Sequence, residues 1–250
     1  ICNASTTGIS SISFLGQPVH PTQIALLHAG FEAILFNLES FTPTHRLDID
    51  ATQLSLKFAC FFHQSEQIFS CFANDSIHIW SAITLNNLRT IYPIKIRNKK
   101  LNMNVGDSNA IPEISISLVV NEPQFQPQCL DSDFSNGLIV AFALQTDGHL
   151  LALSTVDNYL LLFNVDTFDL ERMIRLNRFV LKQLEFLAQP NEILILGLTT
   201  KGQALLLDCK NTSVKMLIQE NVANMALCVE AKLLSTLSET GVVNIWYTCR

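Results

Sequence analysis

Cys60 and His63 stand three residues apart, a spacing at which a thiolate and an imidazole can share one metal ion. A structural metal needs a second such pair, and none accompanies them. Phe58, Phe61 and Phe62 flank Cys60, so the spacing reads better as a core thiol followed by a turn histidine. His78 alternates with Ile77 and Ile79, which aims it away from their face of a strand, toward solvent or a neighbouring sheet. Asp75 and Asp157 each sit in a turn before an apolar strand, where a carboxylate ordinarily satisfies backbone donors. The run Lys95, Arg97, Lys99, Lys100 would suit a phosphate or an acidic partner, but a short charge run also suits a solvated loop. Sequons at Asn3, Asn74 and Asn211 read as chance matches, Asn74 lying in a tight turn. No GxGxxG, GxxxxGK[ST] or GxSxG occurs, so phosphate cradling and serine-nucleophile chemistry have no local signature. The expectation is a chain with no catalytic residue, no cofactor and no metal: not an enzyme.

Composition narrows the class. The 250 residues are 48% hydrophobic and 15% charged, with a formal net charge of −6. Disorder does not fit so apolar a chain. Nucleic-acid binding needs a basic footprint, which an acidic chain does not offer overall. No stretch of about 18 residues is apolar throughout, so no membrane span is expected. The seven cysteines are scattered without a CxxC and mostly lie in apolar runs. They read as reduced core thiols of a cytoplasmic protein. No basic n-region or apolar h-region opens the chain at Ile1, so no signal peptide is read there.

The elements that must position these residues repeat. Five segments resemble one another: 31–37 (FEAILFN), 76–81 (SIHIWS), 158–164 (NYLLLFN), 202–208 (GQALLLD) and 241–247 (GVVNIWY). Each is a strand closing on a large anchor: Phe36, Trp80, Phe163, Leu207 and Trp246. The anchors lie 44, 83, 44 and 39 residues apart. Blades of about 40–45 residues explain all four gaps if the second holds an insertion of about 40. Turn residues Gly30, Asp75, Asp157, Gly202 and Gly241 precede the anchor strands, in positions that favour positive φ. Two apolar strands come before each turn, and a more polar fourth strand follows each anchor except the last. Four antiparallel strands per period describe a β-propeller blade.

The run Phe72-Ala73-Asn74-Asp75-Ser76-Ile77-His78-Ile79-Trp80-Ser81 resembles the end of a WD40 repeat, and 241–247 resembles the same element. The WD dipeptide itself is absent, so the repeats are degenerate. Residues 46–85, with SEQIFSCFANDSIHIWSAITL, are similar to the N-terminal propeller of WD-repeat proteins of the TBC domain family. The similarity resumes at 140–176 and extends weakly to Trp246. It implies a scaffold working at the centrosome and centriolar satellites in cilium assembly. The family's TBC domain, of Rab GTPase-activating type, lies C-terminal to its propeller. None of it is in this chain, so no such activity carries over.

The expected fold is all-β: a WD40-like β-propeller, incomplete, with about four full blades and part of a fifth. The blades fall at about 9–50, 54–95, 136–176, 180–219 and 222–250, and 96–135 is an inserted flexible loop in which 114–120 (ISISLVV) can form an edge strand. WD40 rings usually close with seven blades, so missing blades and downstream domains are expected, with an open arc that associates through its strand edges. The expected partners are other proteins. The alternatives are a subunit of a trafficking or chromatin assembly, and a propeller enzyme or ligand binder that uses the insertion as a lid.

Overall fold

Short runs of Leu, Ile, Val and Phe, broken every five to eight residues by Gly, Asn, Asp or Ser, favour strands joined by tight turns over helices. The computed structural model describes residues 9–14, 24–29, 32–47, 56–62, 67–103, 113–115, 138–145, 149–177, 179–189, 192–218, 221–228 and 233–247. They form five small antiparallel sheets, an all-β propeller architecture, with one helix among the described residues. The first sheet is β1 (Ile9–Phe14), β2 (Ile24–Ala29), β3 (Glu32–Asn37) and β4 (Thr42–Arg46). The second is β5 (Leu56–Phe62), β6 (Gln67–Phe72), β7 (Ile77–Ser81) and β8 (Asn87–Ile91). Helix α1 (Pro93–Met103) and a short strand β9 (Glu113–Ser115) follow. The third sheet is β10 (Ile139–Leu144), β11 (Leu150–Thr155), β12 (Tyr159–Asn164) and β13 (Leu170–Arg175), with β9 added in parallel beside β13. The fourth is β14 (Leu181–Gln189), β15 (Glu192–Thr199), β16 (Ala204–Asp208) and β17 (Ser213–Ile218). The fifth is β18 (Val222–Cys228), β19 (Leu233–Ser238) and β20 (Val243–Tyr247).

The repeat extends to single residues. Every first strand carries a bulge near its start, at Ile9/Ser11, Leu56/Phe58, Ile139/Ala141, Leu181/Gln183 and Val222/Asn224. Every third-to-fourth pairing that is present shifts register just before the anchor, at Leu35/Phe36, Ile79/Trp80, Leu162/Phe163 and Leu206/Leu207. A bulge adds local twist, and each sheet carries one at the same place in its first strand.

Two kinds of turn recur, each in four of the repeats among the described residues. In the first, an amide bonds the carbonyl three residues back: Asp75 to Phe72, Asn158 to Thr155, Gly202 to Thr199, Gly241 to Ser238. The donor residue has positive φ each time: 61° at Asp75, 67° at Asn158, 77° at Gly202 and 83° at Gly241. In the third repeat that place belongs to Asn158, one residue after Asp157. Gly30 lies outside the described residues. In the second turn, the residue after the anchor accepts amide hydrogens from two and three positions on. Asn37 takes Glu39 and Ser40, Ser81 takes Ile83 and Thr84, Asn164 takes Asp166 and Thr167, and Asp208 takes Lys210 and Asn211. Four residues after each of these, the chain is left-handed, at Phe41, Leu85, Phe168 and Thr212.

These turns make a graded prediction. Gly202 is left-handed, and a Cβ there would meet the Val222 nitrogen at 3.2 Å and the Asn221 Cα at 3.3 Å. Gly241 has the same conformation in open space. Gly241→Ala is therefore expected to cost about 1 kcal/mol of backbone strain, and Gly202→Ala about 2 kcal/mol or more. Urea unfolding of the two variants measures the difference, and equal losses would contradict the close approach.

The chain divides into two compact units, 1–96 with 133–137 and 97–132 with 138–250. In the first unit, Leu26, Ala33 and Leu35 of the first sheet, with Leu47 just after β4, pack on Leu56, Ala59, Phe61, Ile68, Phe72 and Trp80 of the second. In the second unit, Ile174, Leu160, Leu162 and their neighbours in the third sheet pack on Leu184, Phe186, Ile195, Leu205 and Leu207 of the fourth. The other face of the fourth sheet, with Leu196, Leu198, Ala204 and Ile218, packs on Val222, Met225 and Leu234 of the fifth. Polar side chains tie these sheets as well. Gln183 donates to the Met225 carbonyl at 2.6 Å and accepts the Met225 amide at 3.3 Å, and Arg172 donates to the Cys209 carbonyl at 3.2 Å.

The inserted segment differs from the loop expected of it. Residues 93–103 are helical, and Pro93 occupies the first helical position, where its missing amide hydrogen costs nothing. Residues 113–115 pair in parallel with β13. The fourth strand of the first repeat lies at Thr42–Arg46, where the left-handed Phe41 starts it directly after the turn.

Candidate functional site

Four of the five large anchors are core residues. Phe36 is buried with Ala25, Leu27 and Ile34, while Trp80, Phe163 and Leu207 are buried in their sheets. Trp246 is half-buried against the cluster of the fourth and fifth sheets. Both tryptophans reach ten residues back across the hairpin. Trp80 Nε1 donates to Ser70 Oγ at 2.7 Å, and Trp246 Nε1 donates to Thr236 Oγ1 at 3.1 Å. Ser70 and Thr236 are themselves buried. The common spacing, Ser or Thr nine residues before the residue preceding Trp, is the sequence signal that identifies them.

His78 lies between Phe72, at 4.6 Å edge-on, and Trp80, at 5.8 Å stacked. Asn87 Nδ2 donates to its Nδ1 at 2.9 Å, which makes Nε2 the protonated nitrogen, 3.1 Å from Ser76 Oγ. Burial lowers its pKa. The folded chain thus holds His78 neutral more firmly than the unfolded chain does. Its contribution is present above about pH 6.5 and is lost as pH falls through the lowered folded value. His78→Gln, which cannot titrate, is expected to lose less stability than the unaltered chain between about pH 7.5 and about pH 5. Denaturant midpoints across that range measure this, and parallel losses would remove His78 from the acid response.

The second candidate constellation joins the basic run to a turn. Arg97 is 6% exposed at its side chain, and its Nη1 donates to both Asp157 oxygens, at 2.9 and 2.7 Å. Asn98 Oδ1 accepts from its Nε and Nη2, and the guanidinium lies 5.2 Å from the Tyr159 ring centroid. Arg97 is therefore a buried, paired cation, not part of a solvated run. Lys95 and Lys99 stay exposed, with Lys95 over the Tyr92 ring at 4.2 Å. Asp75 meets Lys57 Nζ at 3.4 Å and is buried. Burial raises Asp208, but bonds from Asn211, Lys210 and Lys215 outweigh that and hold its carboxyl below the usual range. Burial pushes the free Cys71 and Cys209 thiols up to about 12, which leaves them unreactive. His63 lies outside the described residues. Among the described residues no group of three or more His, Cys, Asp and Glu side chains could hold a metal, and no helix is long and apolar enough to cross a membrane.

One surface stands out. On the fifth sheet, Leu237, Val243 and Ile245 share the face opposite to Leu234 and Thr236, and are 39%, 61% and 64% exposed. Val242 beside them is 53% exposed. Superposing Gly241 on Gly202 puts Leu237 at the place of Leu198 and Val243 at that of Ala204, and both of those are fully buried against the fifth sheet. The exposed face thus has the makeup of the face that the fourth sheet covers.

No protein-family model matches the chain, and no curated protein matches it.

Proposed function

We propose that the chain is a non-catalytic propeller scaffold that binds other proteins. The observation that supports it is the repeat of small antiparallel sheets, whose turns and edges suit protein recognition. The face of Leu237, Val243 and Ile245 is built like a sheet-to-sheet interface, so a further sheet or an apolar partner surface fits it. The net charge of −6 disfavours nucleic acid. The resemblance of 46–85 and 140–176 to the TBC domain family supports a finer reading. In it the chain is the propeller part of a TBC-domain protein in the cytoplasm, acting at the centrosome and centriolar satellites in cilium assembly. Affinity capture from ciliated cells tests this, and centrosomal proteins among the partners are the expected result. Coat or nuclear subunits without centrosomal proteins would replace it with a trafficking or chromatin subunit.

A further inference from the structure

The outermost strands of the sheets differ in what surrounds them. All five residues of β4 are exposed, and of β8 only Ile91 is buried. In β13, Met173 and Ile174 are both 0% exposed although they point to opposite faces. With its edge paired, this outer strand is closed on both faces, and without a partner strand its amides and carbonyls would be a template for another chain. The chain fills that edge from far away in sequence. Glu113, Ile114 and Ser115 pair in parallel with Met173, Ile174 and Arg175. Arg97 of α1, the other described piece of the same insertion, fixes itself to the adjoining β12 region through Asp157 and Tyr159.

We propose that the edge of β13 is a strand-addition site for an extended peptide of a partner protein, and that Glu113–Ser115 is its built-in competitor. The proposal rests on the scaffold reading and names one of its partner types. A three-residue parallel ladder is short, and parallel pairing is slightly weaker per residue than antiparallel. The occupant holds the edge because its tether gives it an effective concentration on the order of millimolar. A longer extended segment alternating apolar and polar residues, as 113–117 (EISIS) does, makes the same ladder and continues it. Pairing through the backbone supplies the affinity, and the side chains beside Ile174 choose the sequence.

The test uses the full chain and a labelled synthetic peptide of sequence IPEISIS, residues 111–117. The variant Ile114→Pro with Ser115→Pro removes amide donors of either parity from the internal strand. The peptide is expected to bind this variant at least about tenfold more tightly than the unaltered chain, because the tethered competitor is gone. A control peptide with the same two prolines should bind neither. Equal affinity for both chains, or no binding to the variant while its circular dichroism and melting temperature are unchanged, would overturn the proposal. Amide exchange in the unaltered chain gives a second arm that needs no variant. Amides of Met173–Arg175 should exchange faster than those of Leu160–Leu162 and slow when peptide is added. No change on adding saturating peptide would also overturn it. Partner capture through the fifth-sheet face is a separate readout. Its persistence would show that only strand addition had failed.

Discussion

Trp80→Ala is expected to lower stability by about 3–5 kcal/mol. Trp80 is 6% exposed within the cluster that joins the first and second sheets. Alanine leaves a cavity between the two sheets and removes the donor that bonds Ser70 at 2.7 Å. Trp80→Phe separates the contributions, since it keeps most of the packing and loses the bond, at about 1–2 kcal/mol. Urea unfolding measures both. A loss under about 1 kcal/mol for the alanine variant would mean that Trp80 does not anchor the second repeat.

Asp157→Ala is expected to cost about 2–3 kcal/mol. The variant leaves the Arg97 guanidinium buried without its carboxylate. A fully buried pair would cost more, but Asp157 is 40% exposed, and solvent screening reduces the figure. The double variant Arg97→Met, Asp157→Ala removes the stranded charge, so it should be more stable than Asp157→Ala alone. A double variant less stable than the single one would show that Arg97 contributes by packing on Tyr159 and not by its pair.

Much of the fold was legible because each repeat writes its hairpin in turn residues. The runs around Asn74-Asp75 and Gly202 punctuate apolar strands so plainly that β6, β7, β15 and β16 could be placed from the sequence. The fourth strands were harder, since β4 is polar throughout and its start depends on the left-handed conformation of Phe41, which no side-chain pattern announces. The absent WD dipeptide concealed a second regularity. Asn37, Ser81, Asn164 and Asp208 stand where Asp would follow Trp, and all four do the same work with a side-chain oxygen. Reading by chemistry rather than by letter would have found them. The Arg97–Asp157 pair spans 60 residues and could not be seen from either end. A basic run reads as solvated until a helix turns one of its members inward. The exposed face of the fifth sheet was equally hidden, because Val243 and Ile245 look like core residues in any window, and only the structure shows them uncovered.

The central claim is that the chain works by binding proteins through its surfaces, the apolar face of the fifth sheet among them. The variant Val243→Lys with Ile245→Lys tests it most directly. Both residues are exposed, so the fold and melting temperature should hold within about 1 kcal/mol of stability. Quantitative affinity capture is predicted to lose most of the protein partners that the unaltered chain retains. An unchanged partner set from an equally folded double variant would contradict the claim.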